Sequence, residues 1–193
     1  MAARKIMVIR HAEKPSEDGS VVGVSENGSP DGDQLIVRGW QRAGALVRLF
    51  SPVDGRFSNG SLESPGVVFA SGVAKHSKSL RPQHTVAPLV KLLGVPFVIS
   101  HPKGDEDGLV QDALSRDGVV LISWEHEAIP GIANRILGDT TSCPQKWPGD
   151  RFDLVWIFDR SSEGGAWRFS QVPQLLLPGD LAETIPIAAN QSD

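Results

Sequence analysis

Residues 5–15 read KIMVIRHAEKP. The apolar run from Ile6 to Ile9 has the composition of a buried strand, and the chain turns polar at Arg10 and halts at Pro15. Arg10 and His11 therefore fall at a strand's carboxyl end, the edge at which open α/β sheets bind ligands. The residue types narrow the chemistry. An imidazole can act as a nucleophile, and a guanidinium beside it offers a planar fork of donors to a phosphate. Phosphoryl transfer uses both; the competing reading is a basic dipeptide at a strand end, bound to water or a surface carboxylate.

Further strand-like runs occur at residues 67–71, 97–100, 119–124, 153–159 and 166–170. Helix-period segments fall between them. Residues 35–50 carry Val37, Trp40, Leu46 and Leu49 at helical spacing, and residues 79–93 carry Leu80, Val86, Ala87, Val90 and Leu93, with Pro82 tolerated in the first turn. Two more helices are expected over 107–116 and 126–137, the last ending at Gly138. The alternation predicts an α/β layer architecture. A chain of 193 residues fits one domain over 1–193, burying roughly 70% of its unfolded surface, with a frayed tail at 188–193. Two long stretches rich in Gly, Ser, Asp and Pro, 16–33 and 51–66, resist assignment. Loops of this length are usually functional or mobile. The first follows the Arg-His pair and reads as a flap over the pocket; substrate specificity is expected in both.

The formal net charge of -4 gives no general attraction to nucleic acid or anionic membranes, so a phosphate ligand requires a local basic pocket. The single cysteine, Cys143, can form no internal disulfide and has no C-x-x-C partner for zinc, which points to a reducing compartment. The amino terminus enters a strand without a charged leader or cleavage box, and no apolar run reaches the roughly 18 residues of a membrane span. A soluble cytoplasmic protein is the expectation.

Two more segments extend the Arg-His pair into a constellation. The run SLRPQHTVAPL carries Arg81 and Thr85 on the helix after the strand at 67–71, and the strand at 119–124 leads into Glu125-His126-Glu127. Each polar group lies near a helix amino terminus, where backbone N–H groups attract anions. Two arginines and two histidines would converge on one face.

These segments resemble the histidine phosphatase superfamily, which includes the cofactor-dependent phosphoglycerate mutases. RHAEKP is similar to the family's Arg-His-Gly opening, with Ala12 in place of Gly; LIVRGWQRAGAL resembles the helix that follows. LRPQHTVAPL resembles the second-arginine segment, in which an Arg precedes a Thr by four positions, and VVLISWEHEAIPGIA the strand with the second histidine. The resemblance implies a three-layer α/β sandwich with a largely parallel central sheet flanked by helices, of the phosphoglycerate mutase-like type. It also implies a reaction without metal or other cofactor, in which His11 attacks phosphorus and carries a phosphohistidine. Arg10, Arg81 and His126 would surround the phosphate oxygens, as the charge on a transferring phosphoryl group requires, with Lys14 as a further donor by analogy.

The acid that protonates the leaving oxygen is where the chain departs from the family pattern. By analogy with the acid phosphatase branch Glu127, directly after the second histidine, is the favoured candidate; a glutamate there also stabilises a helix dipole without catalysis. Asp105, Glu106, Asp107 and Asp112 lie in the segment from which the mutase-like branch draws its acid, and Glu13 is a further alternative. His76, His84 and His101 have no regular ligand spacing, and HEAIP fails as a zinc-protease motif because Pro130 stands where the second histidine belongs. Trp40, Trp124, Trp147, Trp156 and Trp167 read as core or loop anchors, with Trp124 in a position to border the pocket. The expected activity is hydrolysis of a small phosphomonoester, since the chain is short for a mutase-like member. Two alternatives stand: a phosphatase of protein phosphohistidine, and a phospho-ligand binding or regulatory module without turnover.

Overall fold

The protein is described by a computed structural model covering residues 2–75, 77–160 and 164–187. The expected frayed tail, 188–193, and His76 lie outside the described residues. The chain runs β1 (Ala3–Arg10), α1 (Val37–Phe50), β2 (Val67–Ala70), α2 (Arg81–Leu93), β3 (Phe97–Val98), α3 (Glu106–Ser115), β4 (Gly118–Trp124), α4 (Ile129–Leu137), β5 (Leu154–Asp159) and β6 (Arg168–Pro173). Every predicted strand and helix is present, with ends displaced by a few residues. The strands form one sheet of order β3-β2-β4-β1-β5-β6, in which β3, β2, β4 and β1 are parallel and β5 pairs antiparallel with both β1 and β6.

The period of two along β1 separates the layers. Ile6 and Val8 join Val120, Ile122, Trp156 and Phe158 on the face covered by Leu109 and Ala113 of α3 and Ile129, Ile132 and Ile136 of α4. Met7 and Ile9 join Leu121, Val155 and Ile157 on the other face, covered by Leu46, Leu49 and Phe50 of α1 and Val86 and Leu89 of α2. A sheet buried on both faces suits these nearly continuous apolar runs. Among the described residues no helix is long and apolar enough to cross a membrane.

This arrangement opens a crevice. β1 and β4 are neighbours, with Arg10 level with Trp124, yet the chain leaves β1 for α1 on one face and leaves β4 for α4 on the other. The carboxyl ends of the two strands are thus left uncovered between diverging connections, the position at which α/β sheets bind ligands.

The loop over 51–66 does not belong to that end of the sheet, contrary to the expectation that it would set specificity. Glu63 accepts from the Arg4 guanidinium at 2.9 Å, and the Ser61 carbonyl accepts from Lys5 Nζ at 2.7 Å, so the loop is tied to the start of β1. Lys5 is 4% exposed, and its Nζ pairs with Asp159 at 2.6 Å. The loop serves a buried lysine at the opposite edge of the sheet from His11.

Candidate active site

His11 follows β1 directly, and its backbone N–H continues the ladder by donating to the Trp124 carbonyl at 2.9 Å. The ring is 6% exposed, and Nδ1 lies 2.8 Å from the carbonyl oxygen of Ala12. A carbonyl can only accept, so Nδ1 carries the proton and the lone pair resides on Nε2. Burial, reinforced by the charges of Arg10 and Arg81 and by His126, pushes the His11 pKa down to about 3. The imidazole is therefore neutral at physiological pH, as a nucleophile must be.

The loop that carries His11 is held from two sides. The Ala12 N–H donates to Thr85 Oγ1 at 2.8 Å, and the same hydroxyl donates to the Arg81 carbonyl at 2.7 Å, so one buried threonine ties the first turn of α2 to the His11 loop. On the other side Gly39 of α1 lies against Glu13; a Cβ at this glycine would come within 2.6 Å of the Glu13 carbonyl oxygen. Only glycine permits that approach. Gln83 Nε2 donates to the Ser71 carbonyl at 3.0 Å, docking α2 onto the end of β2.

His11 and Arg81 share a cleft of about 230 Å³ with Ser71, Ser77, Lys78, Ser79, Pro82, Lys103 and Glu125. Arg81 lies in the first turn of α2, where burial lowers its pKa, and its Nε is buried without a hydrogen-bond partner. Arg10 is 1% exposed beside the cleft: its Nη1 donates to the carbonyls of Gly149 at 2.6 Å and Arg151 at 3.1 Å, and the guanidinium stacks on Phe152 at 3.7 Å. Its Nε is also unpartnered, and burial, with help from Arg81, lowers its pKa to about 10, still charged at neutral pH. Half-buried His126 lies near Gly149, where a Cβ would be 3.8 Å from Nε2; burial first and Arg10 second lower its pKa. The four residues thus gather at the carboxyl ends of β1 and β4, although Arg10 and His126 do not form the wall of the cleft itself. A buried N–H without a partner costs about 1–3 kcal/mol, which the oxygens of a bound anion would recover.

Lys14 stands apart from that wall, 37% exposed and 3.9 Å from Glu17. Glu127 is also outside it: the side chain is 70% exposed and its Oε2 lies 3.2 Å from Lys103 Nζ. The Lys103 bond holds the Glu127 carboxyl below its ordinary range, so it stays ionised. The other acids are engaged elsewhere. Glu13 accepts from Arg38 and Arg42, Glu106 from the Trp124 indole at 3.1 Å, Asp107 from Arg135, and Asp112 from Arg116 at 2.8 Å, while Asp105 meets His101 Nδ1 at 2.8 Å.

Sequence reasoning passed over Glu125. Its side chain is 14% exposed, its Oε1 is buried with no hydrogen bond, and Lys103 Nζ lies 3.6 Å away. Burial raises its pKa. The available signal was the strand-end rule itself, since Glu125 is the first residue beyond β4.

Around the cleft, residues 16–33 fold back over α1 and α2. Trp40 Nε1 donates to the Val24 carbonyl at 2.8 Å and its ring stacks on His84 at 5.3 Å, while Arg81 reaches toward the Asp33 carbonyl at 3.5 Å. Trp124, Trp147 and Trp156 are core residues, so Trp124 supports α4 and Glu106 and does not border the cleft. Cys143 is buried and its thiol pKa is pushed up to about 11, which makes it inert. Among the described residues no cluster of three or more His, Cys, Asp or Glu is arranged to hold a metal ion.

No protein-family model matches this sequence, and no curated protein matches it. Solved structures do match. Bacillus stearothermophilus YhfR superimposes with a TM-score of 0.53 at 13% identity, over 93% of this chain and 98% of that one. The phosphoglycerate mutase of Plasmodium falciparum gives a TM-score of 0.51 at 10% identity, over 96% of this chain and 99% of that one. The agreement spans nearly the whole of both partners and rests on shape, with little shared sequence. The chain therefore has the phosphoglycerate mutase-like fold, the fold that its resemblance to the histidine phosphatase superfamily implies.

Proposed function

We propose that the protein is a metal-independent phosphomonoester hydrolase that works through a phosphohistidine on His11. The observation that carries this reading is the His11 ring: its Nδ1 proton is committed to the Ala12 carbonyl, which leaves a neutral, buried Nε2 beside two arginines. In the proposed reaction Nε2 attacks phosphorus, and Arg10, Arg81 and His126 stabilise the charge on the equatorial oxygens. The unpartnered Nε–H groups of Arg10 and Arg81 suit that task. A cleft with Arg81, Lys78 and Lys103 in its wall repels a divalent cation and attracts a phosphate dianion, which supports chemistry without a metal. The likeness in fold to a phosphoglycerate mutase is consistent with handling of a phosphate ester. A lone buried cysteine fits a reducing, cytoplasmic setting.

A phospho-ligand binding module would need the cations but not an imidazole held in the attacking tautomer, so turnover is favoured over binding alone. Rapid quench with labelled 4-nitrophenyl phosphate is expected to trap an acid-labile, base-stable phosphoenzyme, and His11→Ala to abolish it along with turnover. Label recovered on a serine, cysteine or aspartate, or activity that EDTA removes and a divalent ion restores, would overturn the proposal.

A further inference from the structure

Hydrolysis of a phosphate ester needs a second group besides the nucleophile. When the P–O bond to an alcohol breaks, its electron pair stays on the leaving oxygen, and an alkoxide is too strong a base to depart without a proton. The donor must lie in the cleft that holds the nucleophile, and it must be able to carry a proton near neutral pH. Of the carboxylates around the site, Glu125 is the one in the cleft wall with His11 and Arg81. Its 14% exposure against 70% for Glu127 separates the two neighbours: one faces the enclosed space and the other faces water.

Resting on the reading of this site as a phosphomonoesterase, we infer that Glu125 is the acid that protonates the leaving oxygen, and that the cleft is accordingly built for phosphate esters of alcohols. Burial raises the Glu125 pKa, which favours the protonated form, whereas Lys103 keeps Glu127 ionised. The buried Oε1 atom has no hydrogen-bond partner, so no neighbour holds the carboxyl by a hydrogen bond there. Lys103 has a place in the same device. Its Nζ lies 3.6 Å from Glu125 and 3.2 Å from Glu127, so it pairs with both carboxylates, and its charge works against the burial that raises the Glu125 pKa.

The steps balance. As Nε2 of His11 forms the N–P bond, the P–O bond to the alcohol breaks and the leaving oxygen takes its proton from Glu125. A water oxygen then bonds to phosphorus while the N–P bond breaks, and the Glu125 carboxylate takes the water proton. Inorganic phosphate leaves, and His11 and Glu125 return to their starting forms. The nitrogen of a phosphoramidate, including the phosphohistidine of a protein, takes its proton from solution before the P–N bond breaks and leaves as a neutral amine or imidazole, so it does not need an acid supplied by the cleft. The presence of Glu125 in the wall thus separates alcohol esters from phosphohistidine as the intended class.

The test compares kcat/KM for glycerol 3-phosphate, 4-nitrophenyl phosphate and phosphoramidate in the wild-type protein and in Glu125→Gln. The variant is expected to lose about 10² to 10⁴ on the alkyl ester and no more than a few fold on the other two. Equal loss on all three substrates, no loss on any, or selective alkyl loss in Glu127→Gln in place of Glu125→Gln overturns the assignment. Retained kcat/KM on the aryl ester, which reports the first step and not the later attack of water, shows that the variant is folded and that the phosphatase reading stands. Absence of turnover by the wild-type protein on every substrate instead refutes that reading, and the acid with it. Should Glu125→Gln fail to fold, a series of phosphate esters on the wild-type protein decides: a shallow dependence of kcat/KM on leaving-group pKa is expected, and a steep one overturns the acid.

Discussion

Arg42→Met removes a buried positive charge from between two buried carboxylates. Arg42 is 2% exposed, and the Glu13 and Asp180 side chains are 9% and 3% exposed. Its Nη2 donates to Glu13 at 2.9 Å and to Asp180 at 2.7 Å, and Nη1 donates to Gln174 at 2.9 Å. Methionine fills much of the volume but leaves both carboxylates with Arg38, which is 39% exposed and reaches Asp180 only at 3.4 Å. Removing one partner of a buried pair costs about 3–5 kcal/mol. In a domain of this size each kcal/mol lowers Tm by about 2–4 °C, so a fall of roughly 6–20 °C is expected.

The pH dependence distinguishes this cause from lost packing. In the native protein burial pulls the Asp180 pKa up, but the Arg42 bond and the N–H groups of Leu176 and Leu177 outweigh it and hold the carboxyl below its ordinary value of 3.8. Its contribution to stability is present above that value and is lost as pH falls through the lower, folded value. Without Arg42, burial would dominate and raise the folded pKa, so protonation would relieve the variant as pH falls. The stability gap between the proteins should narrow from about pH 7 to about pH 4.5, measured by urea unfolding with Cm and m determined separately. A gap at neutral pH under about 1 kcal/mol, or one that does not change with pH, would refute the reasoning.

Two other expectations follow from the same description. Thr85→Val leaves the buried Ala12 N–H without its acceptor and should cost about 1–3 kcal/mol by urea unfolding, with a fall in kcat/KM because the His11 loop loosens; unchanged stability would show that the bond is dispensable. Nitrogen NMR of His11 should find a neutral ring protonated at Nδ1 down to about pH 5. An imidazolium at that pH would remove the basis for its nucleophilic role.

The elements were legible because their apolar periods are strong: all six strands and all four helices lie where the pattern indicated. The start of α4 was not. Residues 126–128 form a turn, and the helix begins at Ile129 with Pro130 in its first turn, where proline's fixed φ suits a start. The antiparallel direction of β5 was also hidden, since a buried strand has the same composition in either direction. Arg10, His11 and His126 could be singled out because a strand end followed by a polar residue is a local feature, and Arg81 by its four-residue spacing to Thr85. The surroundings of Glu125 and Glu127 are not local. Which of two glutamates flanking a histidine turns inward depends on Lys103 and on the depth of the cleft. The destination of residues 51–66 likewise depended on Lys5, a charge inside an otherwise apolar strand.

The stretch from Gln174 to Glu183 has no regular secondary structure, yet it fastens both ends of the site. Asp180 and Gln174 grip Arg42, which grips Glu13 two residues beyond His11; the Glu183 carbonyl and the Leu181 N–H anchor Arg151 and Asp153, next to the carbonyls that hold Arg10. Contacts of such large sequence separation form late, because closing a long loop must precede them. During synthesis His11 emerges from the ribosome well ahead of the groups that fix its loop and its neighbouring arginine. A nascent or truncated chain that stops before residue 174 would therefore leave the His11 loop to Thr85 and Gly39 alone, with Arg42 and Arg151 without these anchors.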